Sequence, residues 1–523
     1  MLKEERQMTQ LGNFKIPKSG ASSTNKLNWQ SINWVKVKRD VRRLQMRIAK
    51  AIREKRYNKA KSLQWVLTHS LSAKLLAVKR VTSSSGSRTA GVDGKICASN
   101  KDKMQLALSL RRYGYNAQPL RRDYIPKRNG KQRPLGIPTI KDRAMQALYL
   151  LGLEPIAETL ADPNSYDFRQ QRCTADAIEQ CFKVLSHKTS AQWILEVDIE
   201  KCFDRINHNW LKENILMDVS LLNQWLESRY IERKQLHPTL AGTPQGGIIS
   251  PTLANMTLDG LEKAIKSVAK PASKVHVIRY ADDWVVTGNS QEILENKVMP
   301  AIEKFLKVRG LTCSREKTKI VHIKDGFNFL GFNIRKYHDK LLIKPATKHV
   351  HAFLKMVRNI TKASVSLPTD ILLRVLNPKI RGWGNYYRHV VSKDVFCYVD
   401  NCIYLAIARW ARRRHPQKPA HWLRKKYFRQ QGMRNWIFST KVYDKKGKIV
   451  NRDLVQLKYL PIKRHRKIIA EATPFNPEYI EYFLKRKSYQ GLNWLYRSLQ
   501  KQAKSFSRSA KLQNQNSRIE QES

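Results

Sequence analysis

Two short apolar runs near residue 280 alternate in the way that strands of a β-sheet do. Residues 275–280 and 284–287 are rich in β-branched side chains, and Ala281, Asp282 and Asp283 separate them. This pattern predicts a β-hairpin with adjacent carboxylates at its tip. Neighbouring carboxylates repel each other, and a bound divalent cation would offset that repulsion. Four residues are a weak motif, so a solvated acidic turn and a metal site are equally open at this point.

A second apolar run, residues 194–199, predicts a buried strand that carries Asp198 at its end. An acid there could join Asp282 and Asp283 in a shared two-metal site. The alternative is an ordinary aspartate that caps the following helix, which is a common arrangement. Asp204 lies a turn further on, and we expect it to be structural.

Helical spacing of apolar residues marks most of the remaining chain. It predicts a pair of basic amphipathic helices between Trp29 and Lys79, the second of them over residues 60–78. Further helices are predicted over residues 144–160, from Thr174 onward, and over residues 253–269, 395–414 and 477–504. The chain therefore mixes helices with strands.

Residues 121–138 predict another hairpin, because Asn129 and Gly130 separate two extended runs. Lys127 and Arg133 lie on its opposite arms, where their charges could close over a polyphosphate. An ordinary basic surface hairpin is the equally open alternative.

A glycine-bearing loop spans residues 243–251 and precedes a predicted helix. Its glycines would allow a ligand to approach the backbone closely. The side chain of Gln245 could then hydrogen-bond a sugar or a base, whereas a plain connecting loop is the alternative.

Composition narrows the class of partner. The 523 residues are too many for one ordinary core and suggest two to four domains. Lys and Arg number 99 against 42 Asp and Glu, so the net charge is +57 and calls for a polyanionic partner. Twelve Trp and 20 Tyr among the basic residues favour nucleic acid over a membrane surface. The sequence offers neither a membrane-spanning run nor the apolar core of a signal peptide.

The seven cysteines form no CxxC pair and no cluster with zinc spacing, which indicates reduced thiols in a reducing compartment.

Past residue 345 the chain becomes basic and helical, and residues 376–388 interleave aromatic rings with cations. This mixture of aromatic and basic residues favours nucleic-acid binding over an ordinary solvent-exposed helix face. The predicted RNA-binding residues are Lys379, Arg381, Trp383, Tyr386, Tyr387, Arg388, Arg412 and Arg413.

Taken in order, these blocks resemble a group II intron-encoded protein, that is, a reverse transcriptase with maturase activity. The resemblance covers about residues 28–440. It is carried by the Asn28-Trp29 helices, the loop 89–94, the hairpin 125–138, and the segments 197–204, 243–251, 280–283, 327–332 and 377–388.

The resemblance implies an α+β right-hand polymerase with fingers and palm, followed by a helical thumb, or maturase domain X, and a basic C-terminal tail. The expected divisions are a flexible N-terminus (1–27), an RNA-binding helical extension (28–80), fingers and palm (81–340), thumb and domain X (341–440) and a basic C-terminal segment (441–523).

The resemblance also implies roles for single residues. Asp198 and Asp282 would bind two Mg²⁺ ions, and Asp283 would be a weaker ligand. The triphosphate of a dNTP would be gripped by Lys127 and Arg133. Phe203 would exclude a 2′-hydroxyl, and Gln245 would contact the incoming nucleotide and the template.

Intron RNA and a DNA target or primer are the implied partners, and both monomer and homodimer are open. Many relatives end in a zinc-bearing HNH endonuclease with paired cysteines, whereas no cysteine follows Cys402. We therefore expect no HNH endonuclease in residues 441–523. The expected location is a bacterial cytoplasm, or an organellar matrix or stroma.

Two other functions compete with this reading. One is a splicing-only RNA-binding maturase with a relic polymerase site, which the intact acids argue against. The other is an RNA-dependent RNA polymerase, which Phe203 disfavours.

Overall fold

The computed structural model describes residues 28–126, 130, 132–444 and 446–489, without the side chains of residues 487–489. The predicted flexible segment 1–27, Lys127 and the predicted helical residues 490–504 lie outside these ranges. The described part combines helices with sheets, so the expected α+β class is confirmed.

The helices and strands follow one another along the whole described chain. The helices are α1 (Trp34–Arg53), α2 (Tyr57–His69), α3 (Leu71–Thr82), α4 (Asn100–Ser109), α5 (Ile140–Leu160), α6 (Thr174–Leu185), α7 (Cys202–Arg205), α8 (His208–Asn214), α9 (Val219–Leu226), α10 (Ser250–Leu258), α11 (Leu261–Ser267), α12 (Gln291–Ile293), α13 (Met299–Lys307), α14 (Thr347–Ala363), α15 (Thr369–Tyr387), α16 (Lys393–Arg414), α17 (Ala420–Tyr427) and α18 (Ile480–Tyr489). The strands are β1 (Leu120–Pro126), β2 (Gln132–Ile137), β3 (Trp193–Asp198), β4 (Tyr230–Glu232), β5 (Gln235–His237), β6 (Val277–Tyr280), β7 (Asp283–Gly288), β8 (Lys319–His322), β9 (Phe327–Phe329), β10 (Phe332–Tyr337), β11 (Lys340–Pro345), β12 (Phe428–Gln431), β13 (Arg434–Tyr443) and β14 (Ile449–Asp453).

Two of the predicted helices are each broken in the structure. The prediction of one helix over residues 60–78 is wrong, because Ser70 is extended and its hydroxyl accepts a hydrogen bond from the Ala73 amide, which starts α3. The prediction over residues 253–269 is wrong because Gly260, at φ +92°, separates α10 from α11. A left-handed glycine of this kind ends a helix readily.

The central sheet is antiparallel, with strand order β6–β7–β3–β8, and it lies between two hydrophobic cores. Ile194, Ile278 and Val285 belong to the core that α6 shares with the C-terminal helices. Val197 and Val286 belong to the core that the sheet shares with the N-terminal helices and α5. Because both faces are covered, the strands are apolar at nearly every position.

The hairpin β1–β2 forms as predicted and extends through β4 and β5 into a second four-stranded sheet. Arg133 pairs with Ile125 across this hairpin. The close packing of Gly136 against the loop 243–251 connects the hairpin to the central sheet region: the Gly136 amide donates to the Gln245 carbonyl oxygen at 2.8 Å.

The C-terminal half contains the predicted basic helices α14 to α17, but also a sheet that the sequence did not predict. Strands β12, β13 and β14 form a meander, and residue 440 lies inside β13. The expectation of a tail with one helical patch from residue 441 is therefore wrong for residues 441–453. These strands contain two Asn, one Lys and one Asp, residue types that are uncommon in strands and obscure strand periodicity.

Residues 463–486 fold back onto the N-terminal end of α6 through a fully buried carboxylate. Asp176 accepts hydrogen bonds from Arg486 Nη2 at 2.6 Å, from His465 Nε2 at 2.9 Å and from the Ile468 amide at 2.7 Å. Arg172 Nη2 donates to the Ala470 carbonyl oxygen at 2.6 Å beside them. A buried charge that is paired and hydrogen-bonded in this way stays ionised and holds its partners in place.

Replacing Asp176 by Asn is expected to release the segment 463–486. The change leaves Arg486 and His465 without their shared counter-charge, and breaking a buried pair costs about 3–5 kcal/mol. Amide hydrogen exchange at Ile468 should become fast, and the melting temperature should fall. Asp325→Asn, at an exposed turn, is the matched control; unchanged exchange in Asp176→Asn would contradict the role of the carboxylate.

The same cluster predicts a pH dependence. Burial lowers the pKa of His465, but its hydrogen bonds with Asp176 and Cys173, together with the negative charge of Asp176, outweigh this and raise the pKa to about 9. The stabilisation is then complete below the unfolded pKa of about 6.5 and is lost as the pH rises through about 9. The difference in melting temperature between wild type and His465→Gln should shrink over that interval. His421→Gln, on an exposed side chain, should give no such trend.

Candidate active site

Three carboxylates meet at one end of the central sheet. Asp198, at the end of β3, is the register partner of Asp283, the first residue of β7. Tyr280 pairs with the same Asp283 from β6, so only Ala281 and Asp282 form the turn between β6 and β7. Directly opposed residues have Cβ atoms about 4.5–5.5 Å apart. The fold therefore brings Asp198 together with Asp282 and Asp283, which lie on a different segment of the sequence.

The turn is strained, and a buried ion pair supports it. Ala281 has φ +55°, a left-handed conformation that costs a non-glycine residue about 1–2 kcal/mol. One residue before Tyr280, the buried guanidinium of Arg279 pairs with Asp259 and donates to Asn255 Oδ1 at 3.3 Å. No sequence pattern signals this support, because Asp259 carries no motif and lies on a different element.

The carboxylates perturb one another electrostatically. Desolvation by the surrounding protein, followed by the negative charges of Asp282 and Asp198, raises the pKa of Asp283 to about 6, although the residue is exposed at the surface. Lys317 Nζ donates to Asp198 Oδ2 at 2.8 Å, and this bond raises the pKa of the lysine. The site thus carries more negative charge than its own surroundings neutralise.

A fourth carboxylate, Asp167, lies behind the hairpin and was not predicted. It accepts a hydrogen bond from the Tyr280 hydroxyl, and burial raises its pKa, with the charge of Asp282 adding to the shift. Thr174 also donates to the Tyr280 hydroxyl oxygen, at 3.2 Å. Tyr280 is thereby fixed from two sides. Only the fold reveals this contact, since Asp167 and Tyr280 are more than a hundred residues apart.

The predicted nucleotide-contacting residues surround the same sheet end. Phe203 is half-buried on α7, which begins shortly after Asp198, and its carbonyl oxygen accepts a hydrogen bond from the Thr243 amide. Gln245 Nε2 donates to Asp204 Oδ1 at 3.2 Å, so Asp204 orients this glutamine. Arg133 is exposed on β2, in the hairpin that contacts the Gln245 loop.

The donor set suits Mg²⁺. Carboxylates are hard oxygen ligands, and Mg²⁺ is bound by one or two of them together with water and substrate phosphates. Asp198, Asp282 and Asp283 supply such oxygens at a partly open edge, and the charges of Asp282 and Asp198 add to the raised pKa of Asp283. These are the residues that could hold the ions.

The predicted RNA-binding residues lie on α15, at its C-cap Arg388 and on α16, and they differ in exposure. Lys379, Arg381, Arg412 and Arg413 are exposed, Tyr386 is 39% exposed, and Arg388 is half-buried. Trp383 is half-buried and stacks on Phe353, with the ring centroids 4.7 Å apart.

Tyr387 does not fit the predicted role. Its side chain is 2% exposed, its ring contacts Phe332, and its hydroxyl donates to the Gly331 carbonyl oxygen at 3.1 Å. The prediction of a direct RNA contact by Tyr387 is therefore wrong: the residue joins α15 to the turn before β10. Periodicity alone did not separate this core ring from its exposed neighbour Tyr386.

Within the described residues, no helix is both long enough and apolar enough to cross a membrane.

Three family models match consecutive parts of the chain. The N-terminal domain of reverse transcriptase matches residues 29–110, reverse transcriptase (RNA-dependent DNA polymerase) matches residues 125–334, and the group II intron maturase-specific domain matches residues 350–428.

Curated relatives agree with these matches. Over 312 residues the chain is 32% identical to protein YkfC of Escherichia coli (strain K12), covering 50% of this chain and 80% of that one. It is 30% identical over 292 residues to the group II intron-encoded protein LtrA of Lactococcus lactis subsp. cremoris, covering 54% of this chain and 45% of LtrA. The match thus spans less than half of LtrA.

Among solved structures, telomerase from Candida albicans matches over 59% of this chain and 63% of its own, with 12% identity and a TM-score of 0.35, too low to carry an argument. The three matched models and the relatives carry the assignment instead. From them it follows that the chain belongs to the family of group II intron-encoded reverse transcriptases and maturases, and its α+β architecture is that of a right-hand polymerase with a maturase domain.

Proposed function

We propose that this chain copies RNA into DNA and binds its own intron RNA to promote splicing and mobility. The observation that carries the polymerase proposal is the register of β3 and β7, which sets Asp198 opposite Asp283 and next to Asp282. A sheet end with three carboxylates is suited to phosphoryl transfer with two metal ions.

Asp198 and Asp282 are proposed as the principal ligands of two Mg²⁺ ions, with Asp283 as a weaker ligand. When bound, the ions supply Lewis-acid activation of a primer 3′-hydroxyl and stabilise the charge of the leaving pyrophosphate. The sheet fixes the backbone of Asp198 and Asp283, and Arg279 supports the turn that carries Asp282. Lys317 offsets part of the negative charge from 2.8 Å.

The nucleotide would lie between the sheet end and the hairpin β1–β2. Arg133 grips the triphosphate, together with Lys127, which is outside the described residues. Gln245, oriented by Asp204, contacts the base or sugar. Phe203 closes the space that a 2′-hydroxyl would need and so selects dNTPs.

Intron RNA would contact the basic helices of the C-terminal half. Lys379, Arg381, Arg412 and Arg413 are exposed there and are suited to phosphates. We assign residues 28–80 to an RNA-binding extension, 81–340 to fingers and palm, and the segment from residue 341 to thumb and domain X. The boundary expected after residue 440 moves to the end of β14, at Asp453, because residue 440 lies inside β13. A bacterial cytoplasm or an organelle that contains the intron is the proposed location.

Asp282→Asn is expected to abolish DNA synthesis. Losing a ligand of the ions removes several kcal/mol of transition-state stabilisation, which corresponds to about a thousandfold in rate. Primer extension on an RNA template with dNTPs and Mg²⁺ measures this. Asp325→Asn is the control, since its side chain is exposed at a turn away from the sheet end. Equal synthesis by Asp282→Asn and wild type would refute the assignment of the site.

The same preparation separates the polymerase from a splicing-only maturase. Asp282→Asn should still accelerate splicing of the intron RNA, because the basic helices are unchanged. A wild-type protein that promotes splicing but extends no primer would support the splicing-only function instead.

Phe203→Ala is expected to relax the selection against ribonucleotides. Removing the ring opens room for a 2′-hydroxyl, and a steric pocket discriminates by about 1–3 kcal/mol, or roughly 10- to 200-fold. The ratio of kcat/KM for dNTPs and rNTPs should fall by such a factor, mainly through faster use of rNTPs. Phe203→Tyr keeps the ring and should keep the selection. An unchanged ratio in Phe203→Ala would show that another residue excludes the hydroxyl.

A further inference from the structure

A strongly cationic pocket of about 910 Å³ lies between the C-terminal end of α15, the segment 463–469 and α18. Of its 13 lining residues, nine are Arg, Lys or His and none is Asp or Glu. The volume is within the range of ligand-binding sites. The matched family models end at residue 428, so most of this wall lies beyond them.

The pocket keeps more donors than it uses internally. Arg388 and Arg486 each have a buried Nε without a hydrogen-bond partner among the described residues. Neither atom is open to solvent, so the donors that a ligand could reach are the exposed cations of the pocket wall. Lys463 and Arg464 present exposed side chains at the opening. Several adjacent cations with spare donors suit an anion that repeats along a chain.

The floor of the pocket is a salt-bridge cluster rather than a metal site. Cys173, Asp176 and His465 place ligand atoms within 4.8 Å of one another. Arg486 Nη2, however, lies 2.6 Å from Asp176 Oδ1 and 3.2 Å from His465 Nε2, so a guanidinium stands where a cation would bind. His465 is also protonated at neutral pH, since its pKa is raised to about 9, and an imidazolium is no ligand. Arg486 and His465 therefore neutralise the negative charge of Asp176, and the remaining cations keep the pocket positive.

The pocket lies beside the candidate active site. Ala175 lines it, and the preceding residue, Thr174, donates to the Tyr280 hydroxyl oxygen at 3.2 Å. Tyr280 comes two residues before Asp282. On the other wall, the Lys463 amide donates to the Arg388 carbonyl oxygen at 3.0 Å, which holds the basic segment against the end of α15.

We infer that this pocket binds the sugar-phosphate backbone of a nucleic-acid strand that extends from the carboxylate site. The position of the strand relative to the site rests on the proposed polymerase function; the binding itself does not. Phosphate recognition by Arg and Lys needs no base contacts, so the pocket anchors a strand without reading its sequence.

The test uses the full chain with Asp282→Asn, in which no synthesis consumes the strand. Binding of a single-stranded oligonucleotide, prepared as DNA and as RNA of one sequence, is measured over a series of salt concentrations. Lys463→Ala with Arg464→Ala should weaken binding about tenfold. The slope of log affinity against log salt should become less steep by about 1.4, that is, about 0.7 for each lost contact.

The control removes two charges elsewhere: Lys304→Ala with Lys307→Ala, both exposed on α13. A loss of affinity confined to the pocket variant supports the site. A loss of affinity for DNA only, or for RNA only, identifies which kind of strand the pocket holds. Equal affinity and slope in the pocket variant and its parent, or an equal loss in the control, would overturn it.

Arg388→Gln probes the buried wall independently and should weaken binding in the same direction. Wild-type protein that binds through the pocket but makes no DNA would leave this inference intact and reject only the proposed polymerase.

Discussion

The side chains of the central sheet alternate between two hydrophobic cores, and the position of the candidate-site carboxylates depends on this alternation. A strand that slipped by one residue would exchange its side chains between the two cores and disturb the packing of both, so the register of β3 and β7 is strongly fixed. Asp198 and Asp283 therefore stay opposite each other although their charges repel. The free energy of two cores maintains an arrangement that the carboxylates alone would not adopt.

The chain separates two opposite electrostatic tasks. Its net charge of +57 attracts polyanions over large surfaces, whereas the sheet end concentrates negative charge that attracts divalent cations. Lys317 is the described cation that contacts Asp198 directly, and most of the exposed Lys and Arg of α15 and α16 lie elsewhere. In the proposed function, this division would let a nucleic-acid strand be held by its phosphates while its end meets the carboxylates.

Features of the structure that depend on residues adjacent in the sequence could be predicted from the sequence. The hairpin at Asp282, the strand that ends at Asp198 and the glycine loop with Gln245 each follow from adjacent residues. Contacts made across the fold were missed, because nothing near Asp259 or Asp167 in sequence signals Arg279 or Tyr280. Tyr387 was misjudged for the same reason: its burial depends on Phe332, on a distant strand.

The buried carboxylate of Asp176 has a consequence for the order of events during biosynthesis. Its counter-charges, His465 and Arg486, follow it by 289 and 310 residues. At ribosomal rates of roughly 5–20 residues per second, they emerge roughly 15 to 60 seconds after α6 does. Until then the carboxylate stays hydrated and one side of α6 stays uncovered. The central sheet and α6 thus have to fold before residues 463–486 are available to cover that side of α6.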